Sequence, residues 1–228
     1  MKLKKYYFIT TIFLLLCTIA LHAQKSNVGN WLVYFGNQKI NYKWNWYNEV
    51  QYRNFNLLGD LNQLILRTGI GYNLTENNNT ILLGYGFINS QKYLSNLNEK
   101  VGTNEHRIYQ QFITKQSFNN VFLQHRYRIE ERFLPNDFQM RFRYFLGINI
   151  PINKPKIEKS AFYLSAYNEI FINAQKNIFD RNRLYGALGY VFNKNIKIEA
   201  GYMAQTLETN NKNQFQIVVF NNIPFNKN

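Results

Sequence analysis

The ten residues Gln124-His125-Arg126-Tyr127-Arg128-Ile129-Glu130-Glu131-Arg132-Phe133 constrain the fold of this chain more than any others. In a β-strand successive side chains point to opposite faces, so Gln124, Arg126, Arg128, Glu130 and Arg132 share one side. His125, Tyr127, Ile129 and Phe133 share the other, with Glu131 as the exception. A soluble sandwich rarely sets a row of arginines behind a buried aromatic face. A transmembrane barrel does so naturally, with lipid outside and a polar lumen inside.

The same period of two recurs along the chain. Trp44, Trp46, Val50 and Tyr52 alternate with Asn45, Glu49, Gln51 and Arg53; Leu64, Leu66, Ile70 and Tyr72 alternate with Gln63, Arg67, Gly69 and Gly71. Phe138 to Ile150 carries an almost unbroken apolar face against Gln139, Arg141, Arg143, Gly147 and Asn149. Eleven segments follow this pattern: about 30–38, 43–54, 61–74, 80–90, 104–117, 119–133, 137–151, 160–173, 180–193, 196–207 and 213–223. Bacterial single-chain barrels usually have an even number of strands, which points to ten (without Trp31–Gln38) or to twelve, with one strand unrecognised. The fold expected is all-β, an antiparallel up-and-down transmembrane barrel of 10–12 strands. Asparagine-rich turns at 75–79, 117–120 and 193–195 are short. Links at 54–60, 89–103, 173–179 and 207–212 are longer, an alternation expected between the two ends of a barrel. Pro135, Pro151, Pro155 and Pro224 fall at proposed strand ends or links, where a missing N–H does little harm.

The N-terminus reads as an export signal. Lys2, Lys4 and Lys5 precede an apolar run from Phe8 to Leu21, and Leu21-His22-Ala23 is an approximate cleavage site. The expected organisation is a signal peptide over 1–23 and one barrel domain over 24–228, located in the outer membrane. The apolar run is shorter than the roughly 20 residues that span a bilayer as a helix. Cys17 would leave with the leader, so no disulfide or thiolate chemistry is expected in the mature chain.

Aromatic residues make up 17% of the sequence, as befits a barrel with aromatic girdles at both interfaces. The formal charge is +14; without the three leader lysines, 24 basic residues face 13 acidic ones, a balance of +11. An exported chain seldom meets nucleic acid, so this charge points to lipopolysaccharide phosphates, anionic glycans or an arginine-lined lumen.

Several of these stretches resemble a known family. Glu49-Val50-Gln51-Tyr52-Arg53, Leu66-Arg67-Thr68-Gly69-Ile70-Gly71-Tyr72, His125 to Arg132, Arg141-Phe142-Arg143-Tyr144, Tyr167-Asn168-Glu169, Asp180-Arg181-Asn182-Arg183 and Gly201-Tyr202 look like domain-of-unknown-function family 2490. The resemblance runs from about Trp31 to Phe225 and implies an exported outer-membrane barrel with no established activity.

The inward parity collects a candidate charge network: Glu49, Arg53, Arg67, Glu105, Arg107, Arg126, Arg128, Glu130, Arg132, Arg141, Arg143, Glu169, Arg181, Arg183 and Glu199. Arginine suits such a network because its planar fork binds carboxylates in two places and keeps its charge. One reading is a salt-bridged plug that fills the lumen, since buried charges must be paired. Another is an anion or phosphate site, because arginines outnumber carboxylates. An open porin is disfavoured, since aqueous channels typically need 16 to 18 strands. An outer-membrane lipid A or phospholipid hydrolase is the enzyme alternative, with His106 or His125 as base. Both histidines have outward parity, whereas Ser165 has inward parity. A soluble lipocalin-like barrel is a further alternative, which requires an apolar interior. Two histidines without closely spaced acids make no metal motif, and Gly69-Ile70-Gly71 lies within a strand, so no metal or cofactor is expected. The expected partners are outer-membrane lipid and lipopolysaccharide and a small anionic ligand, with no nucleic acid, for a monomeric barrel.

Overall fold

The computed structural model describes residues 28–57, 59–75, 78–94, 99–175 and 177–225. The leader expected over residues 1–23 lies outside them. Among the described residues the chain forms β1 (Val28–Lys39), β2 (Trp44–Asn54), β3 (Leu61–Asn73), β4 (Asn79–Tyr93), β5 (Lys100–Phe118), β6 (Val121–Leu134), β7 (Asp137–Pro151), β8 (Phe162–Asn173), β9 (Phe179–Asn193), β10 (Ile196–Leu207) and β11 (Asn211–Asn221). Consecutive strands pair antiparallel, and β1 joins β11 to close a barrel.

The eleven alternating segments are thus eleven strands, and neither the reduction to ten nor the extension to twelve applies. Trp31 pairs with Arg53 on β2 and with Gln216 on β11, so the first segment is a full member of the wall. Strands that alternate in direction can close antiparallel throughout only in even number. With eleven, one seam must be parallel, and it falls at β1–β11, where Val28 lies beside Asn213 and Gly36 beside Asn221.

Links 40–43, 74–78, 119–120, 152–161 and 194–195 share what we term the upper rim; 55–60, 94–99, 135–136, 174–178 and 208–210 share the lower. The expected separation of short turns from long links by rim does not hold, because each rim has both. Turn length follows local chemistry instead. Asn119 adopts φ 54° to make the two-residue β5–β6 turn, and Pro135 helps turn the equally short β6–β7 link at the other end. The long link expected over 89–103 is mostly strand, since β4 runs to Tyr93 and β5 starts at Lys100.

The wall separates two environments. Outside, Leu66, Ile70, Leu83, Ile108, Ile129, Phe142, Leu164, Leu184 and Leu188 are exposed around the circumference. Trp44, Trp46, Phe162 and Phe192 lie toward the upper rim; Tyr52, Phe133, Phe138, Tyr202 and Phe215 lie toward the lower. On β8, ten residue steps separate Phe162 from Ile172, roughly 25 Å along the axis at ~3.3 Å per residue and ~40° tilt. Inside, the two halves differ. Trp31, Val33, Tyr185, Met203 and Val218 form an apolar cluster from β1, β9, β10 and β11. The facing wall, β5 to β8, carries most of the buried charge.

Close packing inside depends on absent side chains. Gly189 lies directly opposite Tyr163, whose ring would be 2.2 Å from a Cβ added there. Gly86 sits between Arg67 and Arg107 on its two neighbouring strands and leaves room for the Arg67 stem, whose Cγ would be 3.2 Å from an added Cβ.

Candidate functional site

All fifteen residues of the predicted network lie on strands with inward parity, and twelve are buried; Arg126, Arg132 and Arg181 are partly exposed within the interior. Pairing geometry makes the clusters. Glu130, fully buried, faces Arg141 across β6–β7, while Arg128 faces Arg143. Its carboxylate accepts from Arg141 Nη2 and Arg143 Nη1, both at 2.5 Å, and from Arg128 Nη1 at 3.4 Å, with Arg107 Nη1 at 3.6 Å. Glu169 accepts from Arg126 at 2.8 Å and from Arg143 at 2.6 Å, with Arg183 at 3.8 Å. Glu105 accepts from both Arg107 and Arg132 at 2.6 Å. Glu49 accepts from its direct β3 neighbour Arg67 and from Tyr47 Oη at 2.5 Å. Such charge-assisted forks compensate for desolvation only when the lone pairs are filled, as they are at Glu130.

Three members stand outside these clusters. Glu199 accepts from Tyr163 Oη at 2.9 Å. Arg181 holds Asp180 through Nε and Nη2, both at 3.0 Å. Arg53 donates to Gln51 and to Gln63 Oε1 at 2.7 Å, stacks 3.6 Å from the Trp31 ring centre, and has no carboxylate within 4 Å among the described residues. Asp180 was not in the predicted set because it breaks parity. The β8–β9 register shifts between Phe171 and Ile172, making Asp180 the extra residue of a bulge that sends it inward with Arg181. It accepts from Arg141 Nη1 at 2.8 Å.

Two cavities flank this layer. The lower one, about 250 Å³, reaches from Arg53, Arg67, Arg143 and Arg183 to Gln63, Ser90, Lys92 and Thr103 near the lower rim. Its lining holds nine cationic side chains and one carboxylate, Glu105. The upper one, about 300 Å³, is walled on one side by Val33, Phe35, Phe145, Tyr167 and Phe220, and on the other by Tyr47, Glu49, Gln111 and Lys115. Arg53, Arg67, Arg143 and Arg183 border both.

The histidines face outward. The Nδ1 of His106 lies 2.5 Å from Tyr85 Oη, and that of His125 lies 2.9 Å from Tyr144 Oη. Ser165 lies on the inner face and is buried.

No curated protein and no solved structure matches this chain. A family model described as a protein of unknown function, DUF2490, matches residues 28–216, and the chain belongs to that family.

Proposed function

We propose that this protein is an outer-membrane β-barrel whose lumen is closed at mid-height by arginine–carboxylate pairs, and that it binds an anionic ligand rather than conducting solutes. The observation that carries the reading is the inversion of polarity across the wall. Leu83, Leu164, Leu184 and Leu188 are at least half exposed, while Glu130 and Arg128 are almost wholly buried. Soluble monomers rarely expose a contiguous apolar patch beyond a few hundred square ångströms, whereas a lipid-facing band flanked by aromatics is the ordinary exterior of an outer-membrane barrel. Outer-membrane lipid and lipopolysaccharide would then surround it, and the N-terminal leader fits export. Closure draws support from Glu130 and Glu169, each gripped by several arginines, and from a strand number below that of porins.

Envelope fractionation tests the location: the protein follows the outer membrane and needs detergent for extraction. Planar-bilayer recording tests closure: the wild-type protein gives no stepwise conductance. Release in soluble form overturns the first part, and a steady ion current overturns the second. The hydrolase alternative is less well supported, because each histidine is engaged by a tyrosine and Ser165 is on the opposite face. Lipid release abolished by His106→Ala or His125→Ala would restore it.

A further inference from the structure

We infer that the lower cavity is a binding site for a compact polyanion bearing phosphate-type oxygens, with Arg53 and Arg183 as its principal anchors. The inference rests on the ligand-binding reading above and deepens it. Elsewhere in the interior, arginines brought together share a carboxylate: Arg107 and Arg132 share Glu105, and Arg128 and Arg143 share Glu130. Arg53 and Arg183 break that pattern. Their guanidinium carbons lie 3.6 and 4.9 Å from the centre of the same Trp31 ring, so two like charges share one aromatic neighbour. No carboxylate lies within 4 Å of Arg53 among the described residues, and Glu169 is 3.8 Å from Arg183. Arg67, on the same lining, has a buried Nε without a hydrogen-bond partner.

An anion placed between Arg53 and Arg183 would supply what Glu105 and Glu130 supply elsewhere. Of the lining's cations, Arg53 and Lys92 have no carboxylate within 4 Å among the described residues and Arg183 has one only at 3.8 Å, which calls for more than one negative charge. Guanidinium forks match the paired oxygens of phosphate. At about 250 Å³ the cavity has the volume of roughly eight waters at ~30 Å³ each, room for a diphosphate but not for a nucleotide-sized ligand. The same chemistry is offered by free phosphates and by a lipid phosphate headgroup entering at the lower rim.

Pyrophosphate titrated calorimetrically into the full-length protein in neutral detergent, at constant ionic strength, is the test. Saturable binding is expected, weaker for acetate, and reduced at least ~10-fold by Arg53→Gln or Arg183→Gln through loss of a charge-assisted contact. Lys197→Gln, on the upper cavity, leaves it unchanged. Gln63→Glu separates binding from folding, because Gln63 Oε1 already accepts from Arg53 at 2.7 Å. A carboxylate there occupies the gap, so thermal stability rises while pyrophosphate affinity falls. Repeating the titration in phosphatidylcholine nanodiscs with and without phosphatidate identifies the source. Competition by phosphatidate assigns the site to a headgroup, and its absence assigns it to a soluble phosphate. Absence of saturable pyrophosphate binding to folded wild-type protein, or unchanged affinity in Gln63→Glu, overturns the site. Detergent-dependent extraction is a separate readout and reports on the barrel reading alone.

Discussion

Arg107 and Arg132 stand directly opposite one another on β5 and β6, and both guanidiniums close on Glu105 through Nε and Nη2. Two like charges facing each other across a strand pair repel. Here the third group turns that repulsion into a clamp that ties the two strands together near the lower rim. Glu105→Gln keeps the shape but removes the charge both arginines share. It should destabilise the barrel by about 3 kcal/mol, the lower end of the cost of leaving a buried charge unpaired. Arg132→Met added to Glu105→Gln should recover part of that loss, measured by urea unfolding in detergent.

Gly189 and Tyr163 make a second testable pair. Gly189→Ala would drive a methyl into the Tyr163 ring and should cost about 1–3 kcal/mol by overpacking. Tyr163→Ala also loses the hydrogen bond to Glu199. Because the clash needs both groups, the double variant should be more stable than the sum of the single losses implies, a coupling readable in a double-mutant cycle.

The exterior offers a test in which lipid and water predict different results. Leu184 is exposed near the middle of β9. Leu184→Arg should cost about 2–4 kcal/mol if that position faces the bilayer midplane. An exposed site in water would tolerate the change within about 0.5 kcal/mol. Reversible unfolding in lipid vesicles measures the difference.

At the lower rim, Asp60 sits in the link between β2 and β3 with φ 62°, accepting from Tyr93 Oη at 2.8 Å and forming an ion pair with Lys100. Burial pulls its carboxyl upward, but hydrogen bonds from Lys100 and Tyr93 outweigh that and hold it below its usual value. A carboxyl depressed in the folded state stabilises the folded state fully above its unfolded value of about 3.9 and loses that contribution as pH falls through the folded value. The hydrogen-exchange protection factor of the Phe55 amide, whose N–H donates to the Asp60 carbonyl at 2.9 Å, should therefore fall on acidification once the rate is normalised to the intrinsic rate at each pH. Asp60→Asn should remove most of that pH dependence.

The inside–outside assignment was legible because the two faces of each strand meet different surroundings, and a period of two records that directly in residues such as Arg128 and Ile129. The strand count needed closure, which depends on β1 meeting β11 from the far end of the sequence. Trp31, Val33 and Val218 gather into an apolar half of the interior that the sequence did not reveal, since neighbours across the barrel come from distant strands. Asp180 escaped because one bulge residue reverses parity locally. The isolation of Arg53 from carboxylates could not be read from sequence, because it depends on which side chains converge in the lumen rather than on which face they take.

The single parallel seam has a directional consequence. Since β1 and β11 run the same way, the polypeptide enters the wall at one mouth of the barrel and leaves it at the other. In a bilayer, an epitope placed just before Val28 and another just after Asn221 would report from opposite compartments. Joining those two points to make a circular permutant would require a linker long enough to traverse the full height of the cylinder.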